Sequence, residues 1–174
     1  GILQMVNHGI STGGLFILVG ILYERRHTKA LNAFGGVWKA LPLFGGISLV
    51  IVLSSMGLPG LNGFVGEFTI LLGAFGSPVL GFFFTFFATL GVIMAAIYLL
   101  YMFQKVYMGP LDKKENEALA REPLTWMELA ALVPLLILIF WIGLYPAPFF
   151  GMMNGSVGQL VQQVGPFIQA VAGG

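Results

Sequence analysis

The chain has 174 residues, of which 57% are hydrophobic and only 9% are charged. Soluble globular domains carry about 25% charged residues, so this composition excludes an ordinary soluble domain and predicts an integral membrane protein. The net charge of +1 gives no sign of nucleic-acid binding. The absence of cysteine excludes disulfides, thiolate-held iron–sulfur clusters and cysteine zinc sites.

Four apolar segments are long enough to cross the roughly 30 Å hydrocarbon core of a bilayer. Their lengths favour helices over the strands of membrane barrels, which have about ten residues of alternating hydrophobicity. We therefore predict an all-α integral membrane fold with four transmembrane helices, over residues 2–23, 40–76 (broken near 57–63), 79–108 and 126–144. Residues 146–174 carry no charge and are predicted to form a tail.

The basic residues indicate how often the segment 40–76 crosses the membrane. All eight lysines and arginines lie in or beside two linkers, 24–39 and 109–125. Basic residues near helix ends collect on the cytoplasmic side. The two linkers share a side only if 40–76 crosses once, so we predict one long broken helix. The linkers are then cytoplasmic, and the C-terminal tail lies on the outer side.

The break is predicted from the stretch "GLPGLNGFVGEF" at residues 57–68. Pro59 lacks an amide hydrogen and disrupts the preceding helical turn. Gly57, Gly60 and Gly63 weaken the helix locally and permit close backbone approach. Irregular backbone at membrane depth survives only where it is buried in protein or lines a wet cavity, and broken helices serve as ion sites in transporters.

Glu67 follows the break and is the one acidic residue predicted to lie inside a membrane crossing. An ionisable group there is costly and is by default a candidate functional residue. We expect Glu67 to hold and release a proton or an ion. The alternative is a structural carboxylate that caps the second half-helix or pairs with another helix.

His8 is a second candidate, within the first apolar segment. Asn7 adjoins it, and Ser11 and Thr12 follow at helical spacing, which gives a polar stripe on one face. Histidine titrates near neutral pH and can relay protons. A neutral histidine hydrogen-bonded between helices explains the pattern equally well.

Nucleotide-binding and metal-binding motifs are absent from the sequence: there is no G-x-G-x-x-G, no P-loop and no metal-ligand cluster. We therefore expect that this chain binds no cofactor and carries no redox centre of its own.

Four runs in the sequence carry a family resemblance: "NHGISTGGLFILVGILYERRHT" (7–28), "GLPGLNGFVGEFTILLGAF" (57–75), "AAIYLLYMFQKVYMG" (95–109) and "GLYPAP" (143–148). In this order and spacing they resemble the C-terminal part of the antiporter-like M subunit of respiratory complex I, the NADH:quinone oxidoreductase. The resemblance covers nearly the whole chain except the tail.

The resemblance implies a subunit of fourteen transmembrane helices, of which this chain would supply about the last four. It equates the broken segment with a discontinuous twelfth helix. Glu67 would be a protonatable residue of the proton channel, and His8 part of the polar axis that relays protons. The related L and N subunits commonly carry lysine in place of this glutamate, which favours M. The upstream glutamate and lysines of the family have no counterpart here, so we expect a longer parent protein.

The partners and cofactors implied are those of the whole complex. We expect neighbouring L and N subunits, lipid, and NADH, FMN, iron–sulfur clusters and quinone in other subunits, in a bacterial inner membrane. The alternatives are a subunit of a multisubunit cation/proton antiporter, or of a complex I-like hydrogenase or a ferredoxin- or F420-linked pump. A purely structural membrane scaffold is a third possibility.

Overall fold

A computed structural model describes residues 1–172 of the chain, and the surroundings of side chains as far as Pro166. The described residues form α-helices, two short 3-10 turns and no strand, so the predicted all-helical fold is confirmed. The α-helices are α1 (Ile2–Arg26), α2 (Val37–Ala40), α3 (Pro42–Ser55), α4 (Asn62–Phe75), α5 (Gly81–Tyr107), α6 (Lys114–Glu117), α7 (Trp126–Leu144) and α8 (Ala147–Ala172).

Three of these helices, α1, α5 and α7, are long and apolar enough to cross a membrane alone. The half-helices α3 and α4 have 14 residues each. At 1.5 Å per residue, each is about 21 Å long, which is short of the roughly 30 Å hydrocarbon core. Neither half therefore crosses a membrane by itself, whereas the two end to end do.

The two half-helices run along α1 in one direction. Ile51 packs against Gly14, Ser54 bonds Ser11, and Asn62 bonds Asn7. As the residue numbers rise along α3 and α4, the numbers of their partners fall along α1. Both half-helices therefore run in the same direction, antiparallel to α1. The segment is one antiparallel path with an interruption, which is the geometry of a single broken crossing.

The interruption spans residues 56–61 and is shorter than the predicted break at 57–63. Gly63 lies in the first turn of α4, not in the break. Its missing Cβ serves another purpose, because a Cβ there would meet the Ser54 carbonyl oxygen across the interruption. Gly63 therefore allows the two half-helices to approach each other closely.

The two polar linkers pack against each other at one end of the helices. The Gly36 amide donates to the Met108 carbonyl at 2.9 Å. Asn116 is fully buried, donates to the Gly35 carbonyl at 3.2 Å and accepts from Arg26 Nε at 2.9 Å. Both linkers therefore lie at the same end of the helices, as a single crossing requires.

An ion pair fixes α1 to α7 at this same end. Arg25 Nη1 donates to Glu128 Oε1 at 2.6 Å and Nη2 donates to Oε2 at 2.9 Å. The two side chains are only 8% and 15% exposed. Glu128 also accepts the Thr125 amide at 2.6 Å in a capping box that begins α7. The basic run at residues 25–26 therefore builds internal contacts.

The predicted tail forms α8, which begins at the end of α7 opposite the linkers. Phe149, Phe150 and Met153 pack against the core, and the Trp141 and Phe149 rings meet edge to face at 5.5 Å. These contacts give the uncharged segment an apolar face to bury, which favours helix over free tail. Residues 173–174 of the predicted tail lie outside the described residues.

Replacing Glu128 with glutamine tests the ion pair, because glutamine keeps an acceptor for the capping box and removes the charge. We expect the free energy of unfolding to fall by about 2 kcal/mol, as for hydrogen bonds to charged groups. The matched control is Glu122→Gln. Glu122 lies 3.8 Å from Arg25 but is 63% exposed, so its loss should cost less than about 1 kcal/mol. Denaturant titration of the purified full-length protein measures both, and equal losses would contradict the assignment.

Candidate functional site

The interruption between α3 and α4 is a tight loop with two residues in left-handed conformation. Gly57 has φ +76° and Gly60 has φ +93°, a region that favours glycine. The Gly57 amide donates to the Ser54 carbonyl at 3.2 Å, and the Leu58 amide donates to Leu53 at 3.0 Å. The last carbonyls of α3 are thereby satisfied within the loop. Pro59 is exposed at the turn.

Four buried polar side chains, Asn7, Ser11, Ser54 and Asn62, join the loop to α1. We call them the interlock, and each is at most 4% exposed. Asn7 Nδ2 donates to the Asn62 carbonyl at 2.7 Å, and Asn62 Nδ2 donates to Asn7 Oδ1 at 3.3 Å. Ser54 donates its hydroxyl to Asn62 Oδ1, so the 2.7 Å bond between the two serine hydroxyls has Ser11 as its donor.

The interlock connects three elements, because Asn7 and Ser11 are on α1, Ser54 is in the last turn of α3 and Asn62 begins α4. Buried polar groups are costly unless every member is paired. No buried side-chain nitrogen or oxygen among the described residues lacks a partner. The network therefore holds both sides of the interruption in fixed register with α1.

Glu67 is half-buried, one and a half turns into α4. Its carboxylate folds back onto the loop and lies directly against the Gly57 α-carbon, where a Cβ would collide with Oε2. Gly66, beside Glu67, gives the same close approach to α1, since a Cβ there would meet Gln4 Oε1. Gly57 therefore makes space for the carboxylate, and Gly66 makes space for α1.

Glu67 opens into a cavity of about 130 Å³ between α1, the adjoining ends of α3 and α4, and α5, which we call the chamber. This is enough volume for several water molecules. Beyond the interlock, its polar lining consists of Gln4, His8 and Thr12 from α1, Ser55 from α3, Glu67 from α4 and Tyr98 from α5.

His8 reaches the same chamber as Glu67 but from an exposed position on α1. Thr12 Oγ1 lies 3.2 Å from His8 Nδ1 and 3.4 Å from Nε2. The structure thus brings the two predicted ionisable residues, Glu67 and His8, to one cavity. Of the predicted break residues, Gly57 touches the carboxylate and Gly63 lines the chamber.

Gly60 and Pro59 do not reach the chamber. Gly60 lies under α7, where a Cβ on Gly143 would collide with the Gly60 carbonyl and would lie 2.5 Å from the Leu61 α-carbon. Helix α7 therefore runs directly over the interruption.

Sequence reasoning missed Gln4, Ser54, Asn62 and Tyr98. Asn62 carried a usable signal, because an amide in the middle of an apolar crossing must find partners. Ser54 and Gln4 lie within apolar runs with no local cue, and only their packing shows what they contact. Among the described residues, no group of three or more His, Cys, Asp or Glu side chains is placed to hold a metal ion.

A comparison with protein families matches residues 1–95 to the family described as NADH:quinone oxidoreductase/Mrp antiporter, TM. This match covers a little over half of the chain. The chain belongs to this family. Together with its three long apolar helices, family membership makes it part of an integral membrane protein.

Several curated relatives of this family member are named NADH-quinone oxidoreductase subunit M. The Rickettsia bellii protein is 39% identical over 158 residues, covering 91% of this chain and 31% of the relative. The Pseudomonas aeruginosa protein is 38% identical over 173 residues, covering 99% of this chain and 32% of the relative. The Escherichia coli K12 protein is 36% identical over 165 residues, covering 92% and 31%. The predicted resemblance to subunit M is confirmed, and the chain spans about a third of these relatives' length.

A solved structure also resembles this family member. It is described as respiratory complex I from Thermus thermophilus with bound NADH, and the matched chain is 31% identical with a TM-score of 0.69. The match covers 99% of the present chain and 32% of the other. The likeness thus extends beyond residues 1–95 to nearly the whole chain.

Gly63→Ala tests the close approach of the two half-helices. The added Cβ would meet the Ser54 carbonyl, a backbone atom that cannot swing aside. We expect a loss of about 3 kcal/mol in the free energy of unfolding, as for an overpacked core. Gly73→Ala in the same helix has no heavy atom within 4 Å of its Cβ, so it should stabilise by about 0.5 kcal/mol. Denaturant titration of the full-length protein distinguishes the expected loss of stability in Gly63→Ala from the expected gain in Gly73→Ala. A gain in both variants would contradict the close approach of the two half-helices.

Ser54→Ala tests the interlock, because it leaves Asn62 Oδ1 and the Ser11 hydroxyl without their shared partner. We expect a loss of about 2 kcal/mol, the cost of leaving a buried polar group unpaired. The neighbouring Ser55 bonds only the Ile51 carbonyl of its own helix, at 2.9 Å. Ser55→Ala should therefore stay within about 0.5 kcal/mol of wild type. The same titration measures both, and similar losses would show that the interlock contributes nothing specific.

Proposed function

We propose that this chain is part of a proton-translocating membrane subunit of NADH:quinone oxidoreductase, complex I, and that Glu67 carries the proton. The observation that carries the proposal is the position of Glu67. It is a carboxylate inside a crossing, placed at a helix interruption and open to a polar chamber. An ionisable residue at membrane depth is retained at a cost, which favours a function in proton or ion movement.

The chamber supports proton transfer through its lining. Glu67, His8 and Tyr98 can each exchange a proton, and the hydroxyl of Thr12 lies within hydrogen-bond distance of His8. The volume admits water, which links such groups into a relay. We infer that His8 passes protons between the chamber and the part of the subunit that contacts the exposed face of α1.

The driving energy comes from elsewhere in the complex. In this proposal NADH, FMN, iron–sulfur clusters and quinone belong to other subunits, and the neighbouring antiporter-like L and N subunits contact this one. Electron transfer changes the conformation and the electric field around the interruption, and these changes alter the affinity of Glu67 for a proton. The curated relatives named NADH-quinone oxidoreductase subunit M support this assignment.

The proposed orientation follows from the basic linkers. Both linkers lie at one end of the helices and contain most of the lysines and arginines, which favours the cytoplasmic side. The start of α8 then lies at the outer face of a bacterial inner membrane.

A cation/proton antiporter subunit is the second candidate, because the family description names Mrp antiporters as well. The two functions differ in their energy source. An antiporter moves protons when a sodium gradient is imposed without an electron donor. A complex I subunit moves protons only when NADH is oxidised.

Glu67→Gln is the central test in the full-length subunit within its membrane complex. The substitution keeps the shape of the side chain but removes the titrating group. We expect NADH-driven proton uptake into inverted membrane vesicles to fall about 100-fold or more, the usual range for loss of an acid–base group. The amount of assembled complex should be unchanged.

Glu24→Gln is the matched control, since Glu24 is exposed at the linker end of α1. It should pump at the wild-type rate. Unchanged pumping in Glu67→Gln would refute the proposal, and loss of assembly alone would favour a structural scaffold. Proton movement driven by sodium alone would favour the antiporter.

A further inference from the structure

Gly57 occupies an unusual position relative to Glu67. Its backbone is left-handed, and a Cβ built on it would collide with Glu67 Oε2 and lie 3.2 Å from Cδ and 3.8 Å from Oε1. The carboxylate therefore rests in the space that any side chain at residue 57 would fill. We call this space the seat.

We propose that Gly57 is a positioning residue for Glu67, and that the seat beside its α-carbon fixes where the carboxylate lies between the helix interruption and the chamber. This inference rests on the proposed function of Glu67 and extends it. Gly57 touches the carboxylate through its α-carbon alone, so its role is to leave free the space that the carboxylate occupies.

Backbone conformation alone does not account for the seat. Gly60, three residues on, is also left-handed, at φ +93°. A Cβ on Gly60 would meet only Leu144 Cδ2, at 4.0 Å, which is an ordinary contact. Both glycines thus share the left-handed conformation of the turn, whereas only Gly57 makes room for the carboxylate.

The seat and the base of Glu67 are held in fixed relation. The Gly57 amide bonds the Ser54 carbonyl, and Ser54 bonds Asn62 at the start of the helix that carries Glu67. The interlock therefore holds the loop and α4 together. The flexible end of the glutamate side chain is the part that can move, so an added Cβ displaces the carboxylate toward the chamber.

Moving a reacting group has a large effect on rate. A misplacement of about 1 Å can cost roughly 100-fold. The displaced carboxyl group stays on the same helix but loses its defined distance to the other groups of the chamber. The expected consequence is slower proton transfer in a complex that assembles normally.

Gly57→Ala and Gly60→Ala form a matched pair, because both add one methyl group at a left-handed position of the same loop. In the full-length subunit within its complex, we expect Gly57→Ala to lower NADH-driven proton uptake about ten-fold. Gly60→Ala should stay close to wild type. Equal effects of the two variants would overturn the seat, since backbone strain would then explain both.

A double-mutant cycle with Glu67→Asp adds a measurement that separates the contact with the carboxylate from backbone strain at residue 57. Aspartate is one methylene shorter, so its carboxylate clears a Cβ at residue 57. Gly57→Ala should therefore have no further effect on the Glu67→Asp background, whereas independent sites would show the same factor on both backgrounds. A repeated loss of about ten-fold would overturn the proposal.

Labelling of Glu67 by a membrane-permeant carbodiimide tests position without relying on pumping. Gly57→Ala should label faster than wild type because its carboxylate is pushed into the chamber, and Gly60→Ala should label at the wild-type rate. Unchanged labelling in Gly57→Ala would refute the seat. If Glu67→Gln pumps normally while the labelling rates differ as expected, the proposed function fails and the seat stands.

Discussion

The hydrogen-bond interlock between α1, α3 and α4 is the interaction on which the rest of this structure depends. Breaking a helix inside a membrane exposes backbone groups that lipid cannot satisfy. Here the loop amides bond the last carbonyls of α3, and the Asn7 side chain bonds the Asn62 carbonyl within the buried network of Asn7, Ser11, Ser54 and Asn62. Without such a network the interruption would be too costly, and no carboxylate would be held beside it.

Small residues then allow the close packing that the interlock requires. Gly63 lets the start of α4 approach the end of α3, and Gly66 lets α4 approach α1. Helix α7 is positioned at both ends, by the ion pair of Arg25 with Glu128 and by Gly143 against the Gly60 carbonyl. The interruption is therefore held between α1 on one side and α7 on the other. A rigid surround of this kind holds the base of the Glu67 side chain in place.

The chamber differs in character from the apolar surface that surrounds it. Helix α5 is apolar and exposed along most of its length, as in the run Phe82–Phe87, yet it contributes Tyr98 to the chamber. Polar groups thus face inward to one cavity while apolar groups face outward. In the function proposed above, this arrangement gives Glu67 and His8 one shared polar cavity for proton exchange.

The crossings and the interruption could be predicted from the sequence because they depend on local residue patterns and on composition. Apolar length predicted the crossings, the clustering of basic residues predicted one broken crossing, and Gly57, Pro59 and Gly60 predicted the interruption. Glu67 and His8 stood out because a titratable group is rare in such a background. Tertiary structure alone decided that Gly63 belongs to α4, that the tail is a helix, that Arg25 pairs with Glu128, and that the Glu67 carboxylate lies on Gly57. The physical reason is the same in each case: these outcomes depend on which surfaces meet in three dimensions, whether the partners are close along the chain, as Gly57 and Glu67 are, or far apart, as Arg25 and Glu128 are at a separation of 103. A sequence pattern records the chemistry of each surface but not its partner.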